Sequence, residues 1–127
     1  MNEEREEEEG EEEDYDDIQV AFEALETARR LYEEHASGPD VDDRRAEIYM
    51  RLGELHRFNN NEIEALAEYK TALEIREAIC EPYDRSVSEV HFALAQAYVY
   101  RAGENENDDP MASKRLALSH YKSSHRV

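Results

Sequence analysis

The chain repeats itself, and the period of that repeat limits its fold more than any other feature of its 127 residues. Shifted by 42 positions, Ala46-Glu-Ile-Tyr-Met-Arg-Leu-Gly-Glu-Leu-His56 falls on Ser88-Glu-Val-His-Phe-Ala-Leu-Ala-Gln-Ala-Tyr98. Three other segments also superimpose: Ala21-Phe-Glu-Ala-Leu-Glu-Thr-Ala28, Ala65-Leu-Ala-Glu-Tyr-Lys-Thr-Ala72 and Ala117-Leu-Ser-His-Tyr-Lys-Ser-Ser124. Each places a small residue, an apolar neighbour and a large residue four positions on. Self-similarity over tens of residues marks stacked supersecondary units, which bury their apolar faces only against one another.

Those units are helical. Apolar residues recur at helical spacing in five blocks, with no sustained strand-type alternation. The first helix is predicted from about Asp17 to Glu34, with Ile18, Phe22, Leu25, Ala28, Leu31 and Tyr32 on its apolar face, stopping at Ser37, Gly38 and Pro39. The second is expected over Asp43 to Phe58. Asn61 with Glu64 forms a capping-box pattern that opens a third helix, running to about Cys80. Pro82 cannot extend it, and Ser86 with Glu89 repeats the pattern at the start of a fourth helix ending near Gly103. Residues 103–109 read as a polar loop, and Asp109 caps a fifth helix from Pro110 to about His125, with Lys122, His125 and Arg126 at its end. The expected organisation is thus an unpaired helix (17–34), a hairpin (43–80) and a second hairpin (86–126) with an inserted loop, all within a domain of residues 17–127.

Residues 1–17 cannot join that domain's core. They hold twelve Asp or Glu against one Arg, for a charge of about −11 out of the total −18. The acidic positions include Glu6, Glu7, Glu8, Glu9, Glu11, Glu12, Glu13, Asp14, Asp16 and Asp17. A run this poor in apolar side chains does not repay its ordering entropy, so residues 1–16 are expected to be a disordered acidic tract. It reaches at most about 60 Å when extended. A polyanion repels phosphates and anionic lipid, which argues against direct nucleic-acid or membrane binding and for a basic protein partner. One cysteine, Cys80, permits no internal disulfide and is expected in the core. No apolar run reaches the roughly 20 residues of a membrane span, and the N-terminus has acid where a signal peptide needs basic and apolar regions; an intracellular protein is expected.

The repeat resembles the tetratricopeptide consensus: Tyr49, Leu52 and Gly53 in one helix, then Ala65, Tyr69 and Ala72 in the next, without a gap. The fold class implied is all-α, a right-handed stack of tetratricopeptide-like hairpins with about five helices. Gly53 and Ala95 are expected to let helix backbones approach, with Tyr49, Leu52, Tyr69, Leu94 and Tyr98 filling the space between. Four elements further resemble the SHNi-TPR domain of the nuclear autoantigenic sperm protein family of histone chaperones. They are the acidic tract leading into Ala21 to Tyr32, Leu52-Gly-Glu54, Ala72-Leu-Glu-Ile-Arg76, and Ser88-Glu-Val-His91 with Ala97-Tyr98. The resemblance implies a nuclear or nucleocytoplasmic protein that binds histone three, alone or with histone four, and linker histone as a further candidate. In that family the acidic run interrupts a repeat whose first helix lies upstream, and a further hairpin and terminal helix follow. Against that pattern this chain reads as a fragment or a shortened relative, marginally stable or self-associating as a homodimer through the open faces of its first and fifth helices.

Glu47, Met50, Glu54 and Arg57 form one stripe of the second helix, about 130 degrees from the stripe of Tyr49, Leu52, Gly53 and His56. Glu89, Phe92, Gln96 and Val99 form the matching stripe of the fourth. The two outer stripes are expected to line a groove that is acidic and apolar, suited to a basic amphipathic segment. A general tetratricopeptide adaptor for another basic partner is the alternative reading. Capture of an acidic C-terminal tail is disfavoured, because such clamps use Lys and Asn where this chain has Met50, Glu54, Phe92 and Gln96. Catalysis, metals and cofactors are not expected: His35, His56, His91, His120 and His125 form no sequence cluster, Cys80 has no nearby base, and no Gly-rich phosphate loop is present.

Overall fold

The computed structural model describes residues 2–35, 38–82, 84–104 and 110–125, with side chains described from Asp16 onward except at 101–104 and 110. Among the described residues there are five helices and no strand: α1 (Asn2–His35), α2 (Pro39–Phe58), α3 (Glu62–Ile79), α4 (Arg85–Glu104) and α5 (Pro110–Ser124). α2 packs most extensively on α3 and α4 on α5, while α3 joins the two pairs and α1 lies against α2. The architecture is the all-α stack of tetratricopeptide-like hairpins that the repeat implies.

Helix ends follow local chemistry that periodicity alone does not resolve. α1 is helical from Asn2, upstream of the expected start near Asp17; glutamate is a good helix former and the run has no proline. The side chains of residues 2–15 lie outside the described residues. α2 begins one turn earlier than Asp43, because Gly38 adopts φ +115, Pro39 fills the first helical position, and the Asp42 amide donates to the Gly38 carbonyl at 2.9 Å. It ends in a Schellman turn. Asn60, at φ +60, donates to Arg57 O, and the Asn61 amide donates to His56 O at 2.8 Å.

That turn removes one expected cap. Asn61 stands at the cap position of α3 but makes no side-chain capping bond, and its own amide, which Glu64 would have to reach, is already held by His56. The second expected capping box is replaced too. Asp84 caps α4, accepting from the Ser86 amide at 2.8 Å and the Ser86 hydroxyl at 2.7 Å, while its carbonyl takes the Val87 and Ser88 amides. These bonds hold the Asp84 carboxyl below its ordinary range. Glu89 is left free of capping and turns toward Arg76. The expected Asp109 cap, loop positions 105–109 and Arg126 lie outside the described residues, and positions 103–104 belong to α4.

The core sits between the two hairpins, where Tyr69, Leu52, Leu94 and Val90 are the largest fully buried side chains. Burying a side chain of this size stabilises the fold by about 1.5–3 kcal/mol. Gly53 allows the closest approach: a Cβ there would lie 2.4 Å from Tyr69 Cε1. Ala65, Ala72, Ala95 and Ala117, the small positions of the repeat, are all buried. Cys80, expected in the core, is half-buried at the end of α3, its sulfur 3.5 Å from the Ser86 hydroxyl.

Candidate functional site

Because α2 and α4 are the first helices of successive hairpins, their outward stripes face each other across a groove of about 530 Å³. Met50, Glu54 and Arg57 line it from α2, and Glu89, Phe92 and Gln96 from α4. Met50 is only 9% exposed and makes the floor; Phe92 is 44% exposed and makes the open apolar surface. Arg57 Nη1 donates to Gln96 Oε1 at 3.4 Å, a polar strap between the two helices. Two expected residues do not line the groove. Glu47 borders it through its ion pair with Arg76, and Val99 is 49% exposed.

Sequence reasoning missed the cation beneath the groove. Arg76, on α3, is 4% exposed; its Nη2 donates to Glu47 at 3.0 Å, and its Nη1 donates to the Ser86 carbonyl at 2.9 Å and lies 3.7 Å from Glu89. The other oxygen of Glu47 lies 3.1 Å from Arg51 Nε, and Arg51 Nη1 is 3.4 Å from Glu54. Arg85 also lines the groove. The expected acidic lining is therefore mixed: each of its carboxylates has an arginine partner, yet Glu47, Glu54 and Glu89 keep half or more of their side chains exposed, at 52%, 55% and 57%. Arg76 sits in the matched segment Ala72 to Arg76, and its burial was the only signal lacking.

The groove does not end at α4. Glu54 also borders a hollow with Phe58, Glu62 and Tyr100, and another of about 490 Å³ lined by Ile18, Ala21, Leu25, Leu55 and Phe58. Glu54 thus stands where three hollows meet. The far wall is α5, whose Ser124 and His125 reach the groove while Tyr121 lies edge-on to Phe92 with centroids 5.9 Å apart. Of the acidic tract, Asp16 and Asp17 are exposed, and Glu6 to Asp14 lie outside the described side chains.

The histidines are more organised than their sequence positions imply. His91 and His120, 29 positions apart, meet with their Nδ1 atoms 2.7 Å from each other. His56 packs on Phe22 at 4.9 Å, its Nε2 3.9 Å from Glu68. Among the described residues no three His, Cys, Asp or Glu side chains gather as a metal site, and no helix is long and apolar enough to cross a membrane.

No family model matches the sequence. Similarity to individual proteins is extensive along this chain. Nuclear autoantigenic sperm protein of Oryctolagus cuniculus is 28% identical over 98 residues, covering 77% of this chain and 14% of that protein. Histone-binding protein N1/N2 of Xenopus laevis is 29% identical over 112 residues, 88% of this chain and 17% of that protein. NASP-related protein sim3 of Schizosaccharomyces pombe is 34% identical over 110 residues, 83% of this chain and 28% of that protein. The chain thus spans between about one-eighth and somewhat over one-quarter of the length of the curated relatives it matches. This similarity runs over some four-fifths of the chain and along the same helical repeat, so the chain is similar over most of its length to proteins of the nuclear autoantigenic sperm protein family.

Proposed function

We propose that the chain is a histone-binding chaperone module, not a catalyst, that holds a basic, amphipathic histone segment in the α2–α4 groove. The observation that carries this reading is the juxtaposition of exposed Phe92 and the Met50 floor with the half-exposed carboxylates Glu47, Glu54 and Glu89. An amphipathic helix places its apolar side on the first pair and its Arg or Lys on the second. Histone three, alone or with histone four, is the proposed occupant, with linker histone a weaker candidate, and the nucleus is the proposed site of action. The name of one relative, histone-binding protein N1/N2, supports the histone assignment, and that of another, nuclear autoantigenic sperm protein, supports the nucleus. The acidic tract adds attraction that screening confines to about 8 Å at physiological salt, so it speeds encounter and covers basic residues, leaving selectivity to the groove. The open faces of α1 and α5 are proposed to support a homodimer.

The test is equilibrium binding of the purified chain to histone three, to histone three with four, and to an acidic C-terminal peptide, as salt is raised. The reading expects histone binding that weakens with salt yet stays selective, and a loss of about tenfold or more for Phe92→Ala. Preferential capture of the acidic peptide, or equal binding to any basic protein, overturns it.

A further inference from the structure

The contact between His91 and His120 joins α4 to α5. With Nδ1 atoms 2.7 Å apart, one nitrogen donates and the other accepts, so a single proton lies between the rings. A neutral pair supplies that arrangement. A doubly protonated pair does not: two N–H bonds then point at one another, and two like charges share a mostly buried space. Every helix packed here contributes a titratable or charged neighbour. α3 supplies Lys70, whose Nζ is 5.7 Å from the Tyr98 ring, and Glu77, 3.8 Å from His91 Nε2. α4 supplies His91 and Tyr98, and Tyr98 stacks on His120 of α5 at 5.8 Å and 6°. Burial is the main cause that lowers the proton affinity of both rings; the His91 and Lys70 charges further oppose a proton on His120, while Glu77 acts the other way at His91. Among the described residues no third His, Cys, Asp or Glu gathers with them as a metal site.

α5 is also the wall of the groove. Tyr121, next to His120, supports Phe92, and Ser124 and His125 line the same space. We propose that the His91–His120 contact is a proton-operated latch: the neutral pair holds α5 on α4 and keeps the groove walled, and double protonation frees α5 and opens it. The effect on a bound partner rests on the function proposed above; the latch itself does not.

The test follows amide protection, corrected for intrinsic exchange, in the full chain between pH 7.5 and 5.0, with the histidine ring carbons observed in parallel. The latch predicts that α5 amides lose about tenfold or more of their protection below pH 6.5 while α2–α3 amides change much less. It also predicts that His91 and His120 titrate as a coupled pair, the second proton binding well below the first. His120→Gln, and His91→Gln as a second variant, keep a donor and acceptor but do not titrate, so both should flatten the α5 response. Equal loss of protection in α3 and α5, independent titration of both rings near the ordinary value, or an unchanged pH response in both variants each overturns the latch. Partner binding at pH 7.5 that is lost at pH 5.5 in the parent chain but retained in His120→Gln supports the coupling. If no histone binds at any pH, the functional reading fails and α5 protection still decides the latch.

Discussion

Gly53 lies so close to the buried ring of Tyr69 that a Cβ at position 53 would come within 2.4 Å of Cε1, 2.7 Å of Cδ1 and 2.9 Å of Cζ. Tyr69 is 1% exposed and has no room to swing away. Gly53→Ala gains roughly 1 kcal/mol of helix propensity but overpacks the α2–α3 contact, for an expected net loss of about 2 kcal/mol. Urea unfolding with an unchanged slope checks it, and in a Tyr69→Leu background the same substitution should cost much less.

Arg76 ties three helices together by serving Glu47, the Ser86 carbonyl and Glu89 at once. Arg76→Met removes all three contacts, with an expected loss of about 1–3 kcal/mol in thermal or urea unfolding, moderated because both carboxylates stay solvated. Arg76→Lys should not restore it, since one ammonium lacks the planar fork that spans these acceptors.

His56 predicts acid sensitivity at the α1–α2 contact. Burial lowers its proton affinity below the ordinary value of 6.5, and its Nδ1 is buried with no partner among the described residues. The unfolded chain therefore takes up the proton first. This contribution is fully present above pH 6.5 and declines as the pH falls below it. His56→Phe, which keeps the ring on Phe22, should make stability fall less steeply between pH 6.5 and 5 in a series of urea titrations.

The outer helix is anchored by a polar contact. The Tyr49 hydroxyl, its proton affinity raised first by burial, donates to Glu33, which also lies 3.5 Å from Arg29 and 3.9 Å from Arg45. Tyr49→Phe should cost about 1 kcal/mol and speed amide exchange in α1 roughly fivefold, leaving α4–α5 unchanged.

The small positions of the repeat were legible in the sequence because close packing leaves no choice there: Gly53, Ala65, Ala72 and Ala117 are buried as their spacing implies. Helical geometry also fixes which side chains of α2 and α4 share a face, so Met50, Glu54, Arg57, Glu89, Phe92 and Gln96 line one groove, whereas Glu47 and Val99, on the same expected stripes, do not. What escaped the sequence depends on groups that meet only after folding. Arg76 finds Glu47 across 29 positions, and His91 finds His120 across another 29. Cap selection also turned on a folded detail, because the Asn61 amide was already taken by the turn before it.

The most direct test of the groove as the binding surface is amide chemical-shift mapping of the full chain as histone three with four is added. The account predicts the largest changes at Met50, Glu54, Phe92 and Gln96, on both faces of the groove. Changes confined to the acidic tract, with those four positions unmoved at saturation, would contradict it.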